Sequence, residues 1–89
     1  MKLLWTERGW QDYLDWQSTD PAMLEKIHAL IRDTRRNPFQ GLGKPEPLRN
    51  QLAGWWSRRI SAEHRLLYRV VGKGEEQCLE IAACRYHYD

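Results

Sequence analysis

Long apolar runs are missing from this chain of 89 residues. A membrane-spanning helix needs about 20 consecutive apolar residues, and no stretch here approaches that. The start, Met1-Lys2-Leu3-Leu4-Trp5-Thr6-Glu7, lacks the apolar segment of a signal peptide. The expected location is the cytoplasm, with no membrane partner. Cysteine is scarce: Cys78 and Cys84 are the only two. In one strand they lie roughly 20 Å apart, beyond disulfide reach. No Cys-x-x-Cys and no His/Cys spacing for zinc occurs, so both read as small apolar core residues. No carboxylate cluster suits a magnesium ion, and there are no repeats or low-complexity segments. A large excess of one charge is also absent. The net charge of +2 is modest for a protein that grips naked nucleic acid unaided.

What is present describes one domain, residues 1–89, with one core. Apolar residues make up 42% and charged residues 29% of it. Charge is unevenly placed. Residues 1–34 hold four Lys/Arg and six Asp/Glu, whereas residues 35–89 hold ten and six. A polyanion therefore belongs on the second part.

Leu3-Leu4-Trp5 reads as a short strand, and Thr6 caps a helix starting at Glu7. Trp10, Tyr13, Leu14 and Gln17 follow the helical period there. Gly9 weakens that helix by about 1 kcal/mol relative to alanine. Asp20-Pro21 opens a second helix with the stripe Met23, Leu24, Ile27, Leu30, Ile31 and Thr34. Arg35 and Arg36 suit its negative end, and Asn37-Pro38 stops it. Residues 37–54 are broken by proline and glycine. Strands follow at Trp55–Ile60, His64–Val71 and Cys78–Tyr88, joined by turns at Ser61-Ala62-Glu63 and Gly72-Lys73-Gly74-Glu75. The last strand has an apolar centre and belongs inside the sheet. The expected class is α+β: a small antiparallel sheet with two N-terminal helices on one face, in the order β-α-α-β-β-β. A short extra strand near Pro47-Leu48 is an option.

A three-residue turn sets Ile60 opposite His64, Arg59 opposite Arg65, Arg58 opposite Leu66, and Trp56 opposite Tyr68. One face then collects Trp56, Ile60, Leu66, Tyr68 and Val70, with Arg58 as a misfit. The other collects Arg59, Arg65 and Arg69. Like charges directly opposed cost about 0.2–1 kcal/mol, which a solvated face tolerates and an anion site explains. Trp55 shares the arginine face and either packs or stacks on a base. Glu46 is either a solvent-exposed loop carboxylate or, because Pro45 and Pro47 bracket it and restrict its backbone, a general base. His28 and His64 read as structural. His87, between Tyr86 and Tyr88, is led back by the last strand to the sheet that bears the arginines. It is either a surface histidine or, beside the arginines, a general acid.

Several segments together resemble the Txe/YoeB family of bacterial toxins, within the wider RelE/ParE group. They are Lys2-Leu3-Leu4-Trp5, Asp33-Thr34-Arg35-Arg36-Asn37-Pro38-Phe39 and Gly43-Lys44-Pro45-Glu46-Pro47-Leu48. Trp56-Ser57-Arg58-Arg59-Ile60, Glu63-His64-Arg65-Leu66 and Ala82-Ala83-Cys84-Arg85-Tyr86-His87-Tyr88 complete them. The resemblance implies a compact sheet carrying two helices. It also implies an endoribonuclease that cuts mRNA in the ribosomal A site without metal or cofactor. A partner antitoxin of the YefM/Axe kind would neutralise it, and homodimerisation stays open. By the same resemblance Glu46 is the base, His87 the acid, Arg65 the phosphate-stabilising arginine and Tyr88 a further catalytic residue. Lys44, Arg49, Trp55, Arg58 and Arg59 are the expected RNA contacts. Arg49 replaces a usual lysine, Asp89 extends past the usual final tyrosine, and the Gly72–Gln77 loop is longer. A non-catalytic RNA-binding or gyrase-directed toxin is the alternative on this fold. Relatives directed at gyrase lack the glutamate and the His-Tyr pair.

Overall fold

The structure, a computed structural model, describes residues 1–86. The elements are β1 (Lys2–Trp5), α1 (Glu7–Thr19), α2 (Pro21–Arg36), β2 (Glu46–Pro47), β3 (Trp56–Arg59), β4 (Arg65–Val71) and β5 (Cys78–Ala83). The sheet order is β1-β5-β4-β3-β2. The expected α+β class is observed, and β5 takes the interior position its apolar centre calls for. One pairing departs from an all-antiparallel sheet. The edge strand β1 runs parallel to β5, because the helical pair carries the chain away from β1 before the hairpins begin. β5 ends at Ala83, earlier than the expected Tyr88. Cys84–Tyr86 bend away, and residues 87 and 88 lie outside the described residues.

Both helices cover one face of the sheet. Ile27, Leu30 and Ile31 of α2 meet Ile60, Leu66, Tyr68, Leu79 and Ile81 in one buried cluster. Thr6 and Asp20 cap the helices through their side chains, accepting from Gly9 N and from Ala22 and Met23 N.

The buried face of α1 differs from the expected stripe. Gly9, Asp12 and Trp16 are buried, whereas Trp10 and Leu14 are exposed at 46% and 37%. The reason is closeness. A Cβ on Gly9 would lie 2.5 Å from the Ile81 carbonyl oxygen, so α1 rests backbone-on-backbone against β5. That turns Trp10 outward, where it meets Trp5 edge-on and Tyr13 at a tilt. Among the described residues no helix is long and apolar enough to cross a membrane.

Candidate functional site on the uncovered face of the sheet

The hairpin register is the expected one: Arg59 faces Arg65, Arg58 faces Leu66 and Trp56 faces Tyr68. Side chains alternate across a strand, so Arg58 points to the helices and Arg59 away from them. Arg58 is fully buried, and its Nη1 lies 2.6 Å from Asp33 Oδ2 on α2. The same guanidinium donates to the carbonyls of Asn37, Gln40 and Leu42 and to the Tyr68 hydroxyl. Its five donors thus fold the loop after α2 around a buried charge. This corrects the expectation that Arg58 contacts RNA: it lies on the wrong face and faces no solvent. Arg58 holds the Asp33 carboxyl below the usual carboxylate range, helped by the Leu42 amide. Burial pushes the Tyr68 phenol up.

That loop delivers Glu46. Gly43 and Lys44 both have positive φ, 76° and 49°, and Gly43 O accepts from Arg59 N at 2.6 Å. A side chain on Gly43 would strike Arg59 O and Leu30. The two-residue strand β2 then sets Glu46 opposite Ser57, and Ser57 lies opposite Leu67. Opposed residues share a face, so Glu46 belongs to the uncovered face with Arg59 and Arg65. Arg59 is its diagonal neighbour, roughly 7–8 Å away between Cα positions, within reach of two long side chains. Glu46 and Arg59 are exposed. Arg65 is half-buried, and its Nη1 donates to Ser61 O at 2.7 Å and His64 O at 3.1 Å. Lys44 and Arg49 are exposed on either side of β2.

Two residues of this face are occupied. Arg69 Nε lies 2.6 Å from Glu80 Oε1. Its guanidinium sits 4.4 Å from the centroid of the Trp55 ring, a stacked cation. Trp55 thus lies under Arg69, and among the described residues no carboxylate pairs with Arg59 or Arg65.

Beyond β5 the backbone is tied down at successive groups. Cys84 N donates to Asp12 Oδ2 at 3.0 Å, and Trp16 Nε1 donates to Cys84 O at 2.8 Å. Burial pushes the Cys84 thiol up to about 12, with the Asp12 charge adding to it. Arg85 pairs with Asp15 at 3.6 Å. Tyr86 N donates to His64 Nδ1 at 2.8 Å, and Tyr86 O accepts from Arg65 N at 2.9 Å. Tyr86 has φ 67°, a left-handed conformation that costs a non-glycine residue about 1–2 kcal/mol. Those two hydrogen bonds hold it there.

A glutamate, two arginines and flanking cations share one open face, an arrangement that can hold an anion beside a carboxylate base. The family model for the YoeB-like toxin of bacterial type II toxin–antitoxin systems matches residues 5–88. The chain belongs to that family. Toxin YoeB of Escherichia coli (strain K12) is 59% identical over 88 residues, 99% of this chain and 100% of the relative. A solved YoeB/ParE toxin from Agrobacterium tumefaciens shares 60% identity at TM-score 0.95, covering 99% of this chain and 100% of that one. A chain of the heterotetrameric YoeB-YefM complex from Staphylococcus aureus gives 38% identity at TM-score 0.86, covering 99% and 98%.

For a YoeB-like toxin, the structure thus gathers Glu46, Arg59 and Arg65, with Lys44 and Arg49 beside them. It removes Arg58 from the set. His87 and Tyr88 lie outside the described residues. Sequence reasoning missed Asp12, reads Trp16 only as core packing, which its exposure of 7% bears out, and reads His64 as structural with no task named. The available signal was an aspartate four residues before Trp16 and three after Gly9, on one helical face.

Proposed function

We propose that this type II toxin is an endoribonuclease that cuts mRNA in the ribosomal A site. The observation that carries it is the shared face of Glu46, Arg59 and Arg65. Glu46 takes the proton of a ribose 2′-OH, and that oxygen bonds to the adjacent phosphorus. Arg65, with Arg59, stabilises charge developing on the phosphoryl oxygens. The bond from phosphorus to the 5′-oxygen breaks, and His87 protonates the leaving oxygen, with Tyr88 beside it. The products are a 2′,3′-cyclic phosphate and a 5′-hydroxyl. The reaction needs a 2′-OH and no metal ion. Lys44 and Arg49 hold the neighbouring backbone phosphates.

A small net charge gives little affinity for free RNA, so the ribosome supplies the message in a cleavable geometry. The toxin therefore acts in the cytoplasm. Its inhibitor is a YefM-like antitoxin, supported by the solved YoeB-YefM complexes. Homodimerisation has support in the solved YoeB dimer from Staphylococcus aureus. The test is a translating extract in which mRNA 5′ ends are mapped with and without ribosomes. New 5′-hydroxyl ends inside codons, lost with Glu46→Gln, support the reading. Growth arrest with intact mRNA overturns it in favour of a non-catalytic or gyrase-directed toxin.

A further inference from the structure

We propose that His64 is a positioning residue: its unprotonated Nδ1 grips the Tyr86 amide and sets the backbone that enters residue 87. This rests on the reading above, in which residue 87 is the general acid.

The hairpin turn is built to present that nitrogen. Ser61 Oγ accepts from the amides of Glu63 and His64, fixing the turn. The His64 side chain is only 12% exposed. Its ring stands edge-on to Trp16, with centroids 4.9 Å apart and an interplanar angle of 80°. Tyr86 covers it at 5.7 Å. The Tyr86 amide donates to Nδ1 at 2.8 Å, so the lone pair lies on Nδ1 and the neutral ring carries its proton on Nε2, which has Glu63 Oε2 3.9 Å away. Arg85 lies over both the Trp16 and Tyr86 rings and pairs with Asp15, which closes the cluster around the ring.

The neighbouring residue completes the grip, since Arg65 N donates to Tyr86 O. Residues 64 and 65 therefore hold both polar groups of one peptide unit's flanking residue. Arg65 is also the residue read as stabilising the phosphate. One rigid turn thus fixes the phosphate arginine and the backbone leading to the acid relative to each other. A displacement of about 1 Å between them costs on the order of 100-fold in rate.

Three measurements test this. In the wild-type protein, a through-hydrogen-bond NMR coupling between the Tyr86 amide nitrogen and His64 Nδ1 is expected; its absence overturns the proposal. His64→Leu removes the acceptor. His64→Asn restores one, because the asparagine oxygen occupies the place of Nδ1. On programmed ribosomes, His64→Leu should lower the single-turnover cleavage rate about 10–100-fold with half-saturation unchanged. His64→Asn should recover most of that rate and keep the Tyr86 amide protected from exchange. Equal rates in wild type and His64→Leu, or no recovery in a folded His64→Asn, overturn the proposal. If His64→Leu fails to fold, the coupling and His64→Asn decide. A wild-type protein that shows the coupling but cuts no message sinks the functional reading and leaves the grip on Tyr86 standing.

Discussion

At the scale of residues, Arg58 shows how a side chain's face decides its task. It looks like its neighbour Arg59 in sequence, yet one organises a loop and the other faces solvent. Removing one partner of a buried ion pair leaves an uncompensated charge. Asp33→Asn should therefore destabilise the fold by about 3 kcal/mol, read as a lower urea midpoint with an unchanged slope. The pH dependence follows from the lowered Asp33 pKa. The folded pKa lies below the unfolded value, so the stabilisation is complete above the ordinary carboxylate range. It is lost as pH falls through the folded pKa. Wild type and Asp33→Asn should converge in stability in acid and diverge toward neutrality. Cysteine chemistry makes a second expectation. With Cys84 buried and its thiol raised to about 12, a disulfide reagent should label Cys78 in the native protein. Cys84 should react only on unfolding. Two equally fast thiols would contradict the packing of α1 on β5.

At the scale of elements, what was legible in the sequence was whatever a short turn or an alternating pattern fixes. The three-residue turn at Ser61-Ala62-Glu63 determined the β3–β4 register, and that register places Arg59 beside Arg65. The α2 stripe was equally plain, because its apolar residues and its buried residues coincide. α1 misled because its large apolar side chains, Trp10 and Leu14, do not mark the contact. Its contact is made by a residue with no side chain, Gly9, and by a polar one, Asp12. Apolar periodicity records neither. The direction of β1 was likewise unreadable, since parallel and antiparallel edges share one pattern. Gly9→Ala gives a sharp check. Helix propensity alone makes it stabilising by about 1 kcal/mol, but a Cβ 2.5 Å from Ile81 O forces α1 off the sheet. We expect net destabilisation of about 1–3 kcal/mol, measured as a fall in Tm. A rise in Tm would show that the close approach is absent.

At the scale of the whole molecule, the two faces of the sheet divide the work. One carries the helices and the core, and the other carries Glu46, Arg59 and Arg65. The candidate site was therefore legible as a set of residue types and a face. The loop clamp by Arg58 and the grip of α1 and His64 on residues 84–86 were not, since those contacts join positions up to 72 apart in sequence. Charge is divided as well, with the excess of Lys/Arg in residues 35–89. An acidic segment of the proposed antitoxin should bind there with an affinity that falls steeply between low and high salt. Calorimetric titration at two salt concentrations checks this, and salt-independent affinity would point to an apolar interface.

The seating of β5 between β1 and β4 has a consequence for how the molecule is born. Leu79, Ile81 and Cys84 belong to the core but follow every other element of the fold in chain order. Until they leave the ribosome, β1 has no neighbour and α1 has no strand to lie against. Chains are made from the N-terminus at about 5–20 residues per second, so the earlier segments wait, unable to close the core. Contacts between distant segments also make closure slow. The core thus closes only once β5 has emerged, however early the helices form.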